Sequence, residues 1–184
     1  MEKIVENDLL IPFKAEDING ETINLIDYMG QKLYLVFFRK AACPFCNMGV
    51  RELIKKHDEF IKKGIKVVAL FASSKAEILK YAGEQKAPFP IIPDEKYNIY
   101  KKYGIDISYK GMLKTMFNPG KVSKAITGGF FSLKTTFQDP VLPADFLIDE
   151  EQNVVKAHYG NTYDDHLPVS KILEWDIVST LEMN

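Results

Sequence analysis

Leu33-Tyr34-Leu35-Val36-Phe37-Phe38-Arg39-Lys40-Ala41-Ala42-Cys43-Pro44-Phe45-Cys46 runs from an unbroken apolar segment into an amphipathic helix and holds both cysteines of the chain. The apolar run does not alternate, the pattern of a strand buried on both faces in the middle of a sheet. Pro44 suits the first helical position, because the N–H it lacks has no intrahelical partner there. Cysteines at i and i+3 on a first helical turn bring their sulfurs close enough for a small disulfide ring. The unsatisfied N–H groups and partial positive charge of the helix start favour the Cys43 thiolate. The junction therefore predicts either a reactive thiolate or a reversible disulfide.

Other uses of the pair fit less well. CxxC supplies two of the four ligands of a structural zinc site, and His57, His158 and His166 lack metal-ligand spacing. A disulfide closing so short a loop would stabilise the fold little.

With 184 residues, 46% of them hydrophobic, the chain is long enough for one well-buried domain and short for two, so 1–184 is read as a single domain. Its 24 basic and 25 acidic residues leave a formal charge of −1 and no global field for nucleic acid or an anionic membrane. The N-terminal residues 1–8 carry acids and lack the apolar core of a signal peptide, and no later run is long enough to span a bilayer. The expected location is the cytoplasm, where two cysteines point to catalytic or sensing chemistry rather than to a staple.

Outward from the junction, the segments 13–18 and 21–25 flank Asn19-Gly20 and predict an N-terminal hairpin. The helix after Cys43 is expected to run to about Lys63, with Val50, Leu53, Ile54, His57, Phe60 and Ile61 on one stripe, and to end at Gly64. Ile65 to Phe71 reads as a second buried strand, completing a βαβ unit. Ser74-Lys75-Ala76-Glu77 has the form of a capping box for a helix with Ile78, Leu79 and Ala82 inward. Asp94 caps a helix carrying Ile99 and Tyr103 that stops at Gly104. Phe146-Leu147-Ile148 and the segment 154–159 predict a hairpin turning at 150–153, followed by a helix from about Pro168 with Ile172, Leu173 and Ile177 inward. The segment 105–140, rich in Gly, Lys, Met and Phe, reads as an insertion, either packed on the surface or serving as a lid or docking element.

This order resembles the thioredoxin fold with the N-terminal extension of peroxiredoxins. The expected class is α/β: a central mixed sheet flanked by helices, with an N-terminal β-hairpin and an insertion before a cis-Pro strand. Leu142-Pro143-Ala144-Asp145-Phe146-Leu147-Ile148-Asp149 is similar to the Pro-x-x-Phe-Leu-Ile-Asp segment of thioredoxin-like redoxins. The resemblance implies a cis Pro143 facing the cysteines and a Leu142 backbone offered to substrate. Phe13-Lys14-Ala15-Glu16-Asp17-Ile18-Asn19-Gly20 is similar to the opening of the alkyl hydroperoxide reductase/thiol-specific antioxidant superfamily, and the CxxC-bearing, peroxiredoxin-like group matches best.

In that alignment Cys46 falls on the peroxidatic cysteine, Cys43 on the preceding threonine, Arg39 on the motif's proline, and Pro143 on the activating arginine. The buried acid of thioredoxins falls on Phe37, which cannot titrate, so proton transfer from Cys46 needs water or another group, with Glu52, His57 and Asp145 unranked. The resemblance implies no cofactor. Two mechanisms share the cysteines. In thiol–disulfide exchange Cys43 attacks and Cys46 resolves, with Arg39, Phe45, Leu142 and Pro143 as substrate-binding residues. In a thiol peroxidase Cys46 becomes a sulfenic acid on which Cys43 condenses. A third reading is a redox-sensing module that docks a protein through 105–140. Expected partners are protein or small thiols and disulfides, with hydroperoxide under the second mechanism.

Overall fold

The computed structural model describes residues 2–105 and 141–175. The expected insertion therefore lies, from residue 106 onward, outside the described residues, as does Ile177. Five strands form a mixed sheet in the order β5-β4-β3-β6-β7: β3 (Lys32–Phe38), β4 (Ile65–Phe71), β5 (Ile91–Pro93), β6 (Ala144–Ile148) and β7 (Val154–Tyr159). β3 is central, parallel to β4 and antiparallel to β6, and every residue from Leu33 to Phe38 is buried. That is the environment its unbroken apolar run requires.

The pleat sends alternate β3 side chains to two separate cores. Leu33, Leu35 and Phe37 face one, which also takes Ile99 and Tyr100 of α4 (Asn98–Lys102). Tyr34, Val36 and Phe38 face the other, together with both cysteines, α1 (Pro44–Lys55), α2 (His57–Lys62), α3 (Lys75–Lys80) and α5 (Val169–Leu173). Each fully buried Phe or Leu here stabilises the fold by roughly 1.5–3 kcal/mol.

Local chemistry sets the ends of these elements. The Asp94 carboxylate accepts the N–H groups of Asn98, Ile99 and Tyr100 at 2.8, 2.7 and 3.0 Å, and Gly104 ends α4 at a φ of 64°. Ser74 Oγ accepts the Glu77 N–H at 3.3 Å, as the capping pattern predicts.

Some expectations need correction. The long helix after Cys43 is two helices, broken at Lys56 with φ −101° and ψ 5°. The break brings Phe60 under Tyr34, ring centroids 6.1 Å apart, and leaves Ile61 49% exposed. Leu79, expected inward, is also exposed, because α3 is short and buries only Ile78. The N-terminal strands β1 (Lys14–Glu16) and β2 (Thr22–Asn24) pair, but the loop is longer than Asn19-Gly20. Asp17 is buried and its carboxylate accepts the N–H groups of Asn19 and Glu21, which closes the chain over residues 17–21.

Candidate active site

Cys43 is the N-cap residue of α1, with extended φ and ψ of −76° and 125°, and Pro44 takes the first helical position. The turn before it is fixed from two sides. Ser73 Oγ accepts the Ala41 N–H at 3.0 Å, and the buried Asn47 amide donates to the carbonyls of Ala41 and Cys43. Both cysteines are free thiols, Cys43 5% exposed and Cys46 wholly buried.

The two thiols are electrostatically unlike. Cys43 is lowered to about 6, first by the neighbouring Cys46 thiol, which hydrogen-bonds to it, and then by the Arg39 charge and the Phe45 and Cys46 amides, against the opposing effect of burial. Cys46 is pushed well above the ordinary thiol range by burial and by the Cys43 charge. The pair thus holds one thiolate and one thiol around neutral pH.

Arg39 is fully buried although it is the largest cation of the site. Its Nη1 donates to Cys43 Sγ at 3.3 Å, its Nε donates to the Val141 carbonyl at 2.7 Å, and its Cζ lies 3.2 Å from the Tyr163 ring centroid. Among the described residues Nη2 has no hydrogen-bond partner. A buried guanidinium is costly unless an anion offsets it, and the Cys43 sulfur that Nη1 meets is the group placed to carry that charge among the described residues.

The peptide bond expected to be cis is not. All described peptide bonds are trans, including Leu142–Pro143. The carbonyls on either side are committed: Val141 O to Arg39, and Pro143 O to the Gly160 N–H at 2.9 Å. The trans chain then leads directly into β6, where Ala144 pairs with both Phe37 and Tyr159. Of the expected substrate residues, the structure joins Arg39 to the cysteines. Phe45 is partly buried against the cysteine-side core, while Leu142 and Pro143 follow the Val141 carbonyl that anchors Arg39.

The three acids and bases left unranked by sequence now separate. Glu52 is exposed, and His57 sits beside Phe89, ring centroids 6.1 Å apart. Asp145 is fully buried on the cysteine side of the sheet, accepting from Tyr34 Oη at 2.6 Å, His166 Nδ1 at 2.9 Å and the Leu167 N–H at 3.0 Å. Although burial of the imidazole opposes it, the Asp145 charge and hydrogen bond raise His166 above its ordinary range. Sequence reasoning missed Tyr163 and His166, which come from the loop after β7. The one signal there was the dense polar and aromatic run Asn161-Thr162-Tyr163-Asp164-Asp165-His166.

Comparisons with known proteins bear on the family and the fold. A profile of the AhpC/TSA family matches residues 7–157. The chain is 26% identical over 105 residues to peroxiredoxin Bcp of Escherichia coli strain K12, covering 57% of this chain and 67% of that protein. It is 27% identical over 120 residues to the thiol-disulfide oxidoreductase ResA of Halalkalibacterium halodurans, covering 65% of this chain and 66% of that one. The crystal structure of peroxidoxin BcpB from Mycobacterium tuberculosis superposes with a TM-score of 0.68 at 17% identity, covering 92% of this chain and 94% of the other. The last likeness shows the shared fold.

Proposed function

The chain belongs to the AhpC/TSA family and is a thiol-based oxidoreductase of thioredoxin-like fold, and on that premise we propose that it carries out thiol–disulfide exchange through Cys43 and Cys46 in redox homeostasis. The observation that carries this reading is the asymmetry of the pair: Cys43 lowered to about 6 with Arg39 Nη1 on its sulfur, Cys46 buried and pushed up.

Cys43 attacks a substrate disulfide as thiolate, forming an S–S bond while the substrate's own S–S bond breaks and one substrate thiolate departs with a proton from solvent. Cys46 then loses its proton and attacks the Cys43 sulfur, releasing the second substrate thiol and leaving Cys43–Cys46 oxidised. Two protein thiols become one disulfide, and one substrate disulfide becomes two thiols. Phe45 and Leu142, both partly exposed, are assigned to the substrate contact, with Pro143 behind Leu142. Protein or small thiols and disulfides are the partners, and the reaction needs no cofactor.

The test is trapping. Cys46→Ser should accumulate a mixed disulfide with a model disulfide substrate, and Cys43→Ser should not. Trapping that requires Cys46 instead would overturn the assignment.

Peroxide reduction is the second reading, supported by Arg39 Nη2, a buried donor with no hydrogen-bond partner among the described residues. The family resemblance puts Cys46 on the peroxidatic residue. The electrostatics favour Cys43, because the thiolate is the nucleophile and burial disfavours it at Cys46. Cys43 would then attack a peroxide oxygen, the O–O bond breaking and the other oxygen leaving as water or alcohol with a proton from solvent, to give a sulfenic acid on which Cys46 condenses with loss of water.

A further inference from the structure

Tyr163 is fully buried and belongs to neither the CxxC helix nor the sheet. Arg39 Cζ lies over its ring, 3.2 Å from the centroid, while the same guanidinium donates to the Val141 carbonyl through Nε and to Cys43 Sγ through Nη1. Two of the guanidinium's donors are thus held, one by the carbonyl and one by the sulfur, and the ring packs against its central carbon. Arg39 has no carboxylate partner among the described residues, and the Tyr163 ring is the aromatic face that meets its central carbon.

The loop carrying Tyr163 is itself pinned. Gly160 N–H donates to Pro143 O at 2.9 Å, and His158 Nε2 meets the Asp165 carboxylate at 3.1 Å. Asp165 also accepts the Asn161 N–H at 2.7 Å, and the buried Asp145 holds His166 and the Leu167 N–H. The segment is thus tied down on both sides of Tyr163, four residues apart in the tightest span from Asn161 to Asp165. Surface loops are not ordinarily tethered so densely.

We propose that Tyr163 is a positioning residue of the active site: its ring holds the Arg39 guanidinium in the plane that presents Nη1 to Cys43, so that a residue from the loop after β7 sets the reactivity of the CxxC. A cation over an aromatic face is strongest where water is excluded, as at this buried pair. The inference rests on the reading of Cys43 as the attacking thiol and adds the residue that orients its activating cation.

The experiment uses the reduced full-length chain, alkylated with iodoacetamide across a pH series and site-resolved by mass spectrometry. Tyr163→Phe should leave the Cys43 midpoint in place, since the ring face is retained. Tyr163→Met, which fills space without a ring, should raise it by about one unit, slowing alkylation at about pH 5 roughly tenfold. Phenylalanines with increasing fluorine content at position 163 keep the volume while weakening the ring's negative face, and the midpoint should climb stepwise with them. This series keeps the test decisive where the Met variant fails to fold. In an Arg39→Met background the same series should be flat. A midpoint unmoved by ring fluorination, or a Tyr163 effect of equal size without Arg39, would overturn the proposal. If Cys46→Ser fails to trap a mixed disulfide while the midpoint still follows the ring, the functional reading falls and the positioning role stands.

Discussion

Arg39 Nη1 lies 3.3 Å from Cys43 Sγ. The resemblance to the family's motifs puts the arginine where the motif has its proline and the proline where the family has its activating arginine. The side chain reaches the site from the end of β3 rather than from the start of β6, and it is anchored by Val141 O, two residues before Pro143. The charge thus comes from the end of one strand, is anchored just before another, and meets the first cysteine of the CxxC.

Removing that charge should be felt first in the pH profile. Arg39→Met should raise the Cys43 midpoint from about 6 by at least one unit, because a contacting cation is lost while burial still disfavours the thiolate. Ultraviolet thiolate absorbance across a pH titration measures it. An unchanged midpoint would assign the low value to the helix start and Cys46 alone.

The loop behind Tyr163 is sensitive at Gly160. A Cβ there would lie 2.5 Å from Asp165 O and 2.8 Å from Pro143 Cγ, and the first of these is backbone that yields only by moving the loop. Gly160→Ala should cost about 1–3 kcal/mol of stability and raise the Cys43 midpoint in the same direction as Tyr163→Met. Thermal melting and alkylation rates check the two parts separately.

His166 gives a pH signature in stability. Its value in the folded chain is raised by Asp145, so the stability it contributes is fully present below its unfolded value and is lost as pH rises through the raised folded value. His166→Leu also leaves buried Asp145 short of one donor and should cost about 1.5–3 kcal/mol at mildly acidic pH. The melting-temperature gap to the unmodified chain should narrow as pH rises above neutrality. A gap that widens instead would mean that the imidazole is held neutral.

Peroxide should react at Cys43 and slowly. Dimedone labelling of Cys46→Ser after brief peroxide exposure should mark Cys43, whereas Cys43→Ser should show little label. Turnover near the diffusional range, or a sulfenic acid formed first on Cys46, would show that the family's peroxidatic chemistry operates here through other donors.

Much of this architecture is legible in the chain because it is written in local signals. The apolar run of β3, the proline after Cys43, the glycines at 64 and 104 and the acid at 94 each act within a few residues. The centre of the site is a different matter. Asp145 and Tyr34 are 111 residues apart, and Tyr163 meets Arg39 from the far end of the described chain. No spacing rule connects such pairs. The break at Lys56 is also hidden, since apolar spacing continues through it and only the packing of Phe60 under Tyr34 requires it. The motif around Pro143 predicts a cis bond where the chain is trans, and the commitments of the neighbouring carbonyls to Arg39 and Gly160 exist only in three dimensions.

The central claim is that the two cysteines are chemically unequal, and site-resolved alkylation of the reduced chain against pH measures that directly. Cys43 should titrate with a midpoint of about 6, and Cys46 should stay unmodified well beyond the ordinary thiol range. Cys46 modified first, or both thiols titrating together near the value of a free cysteine, would contradict the account.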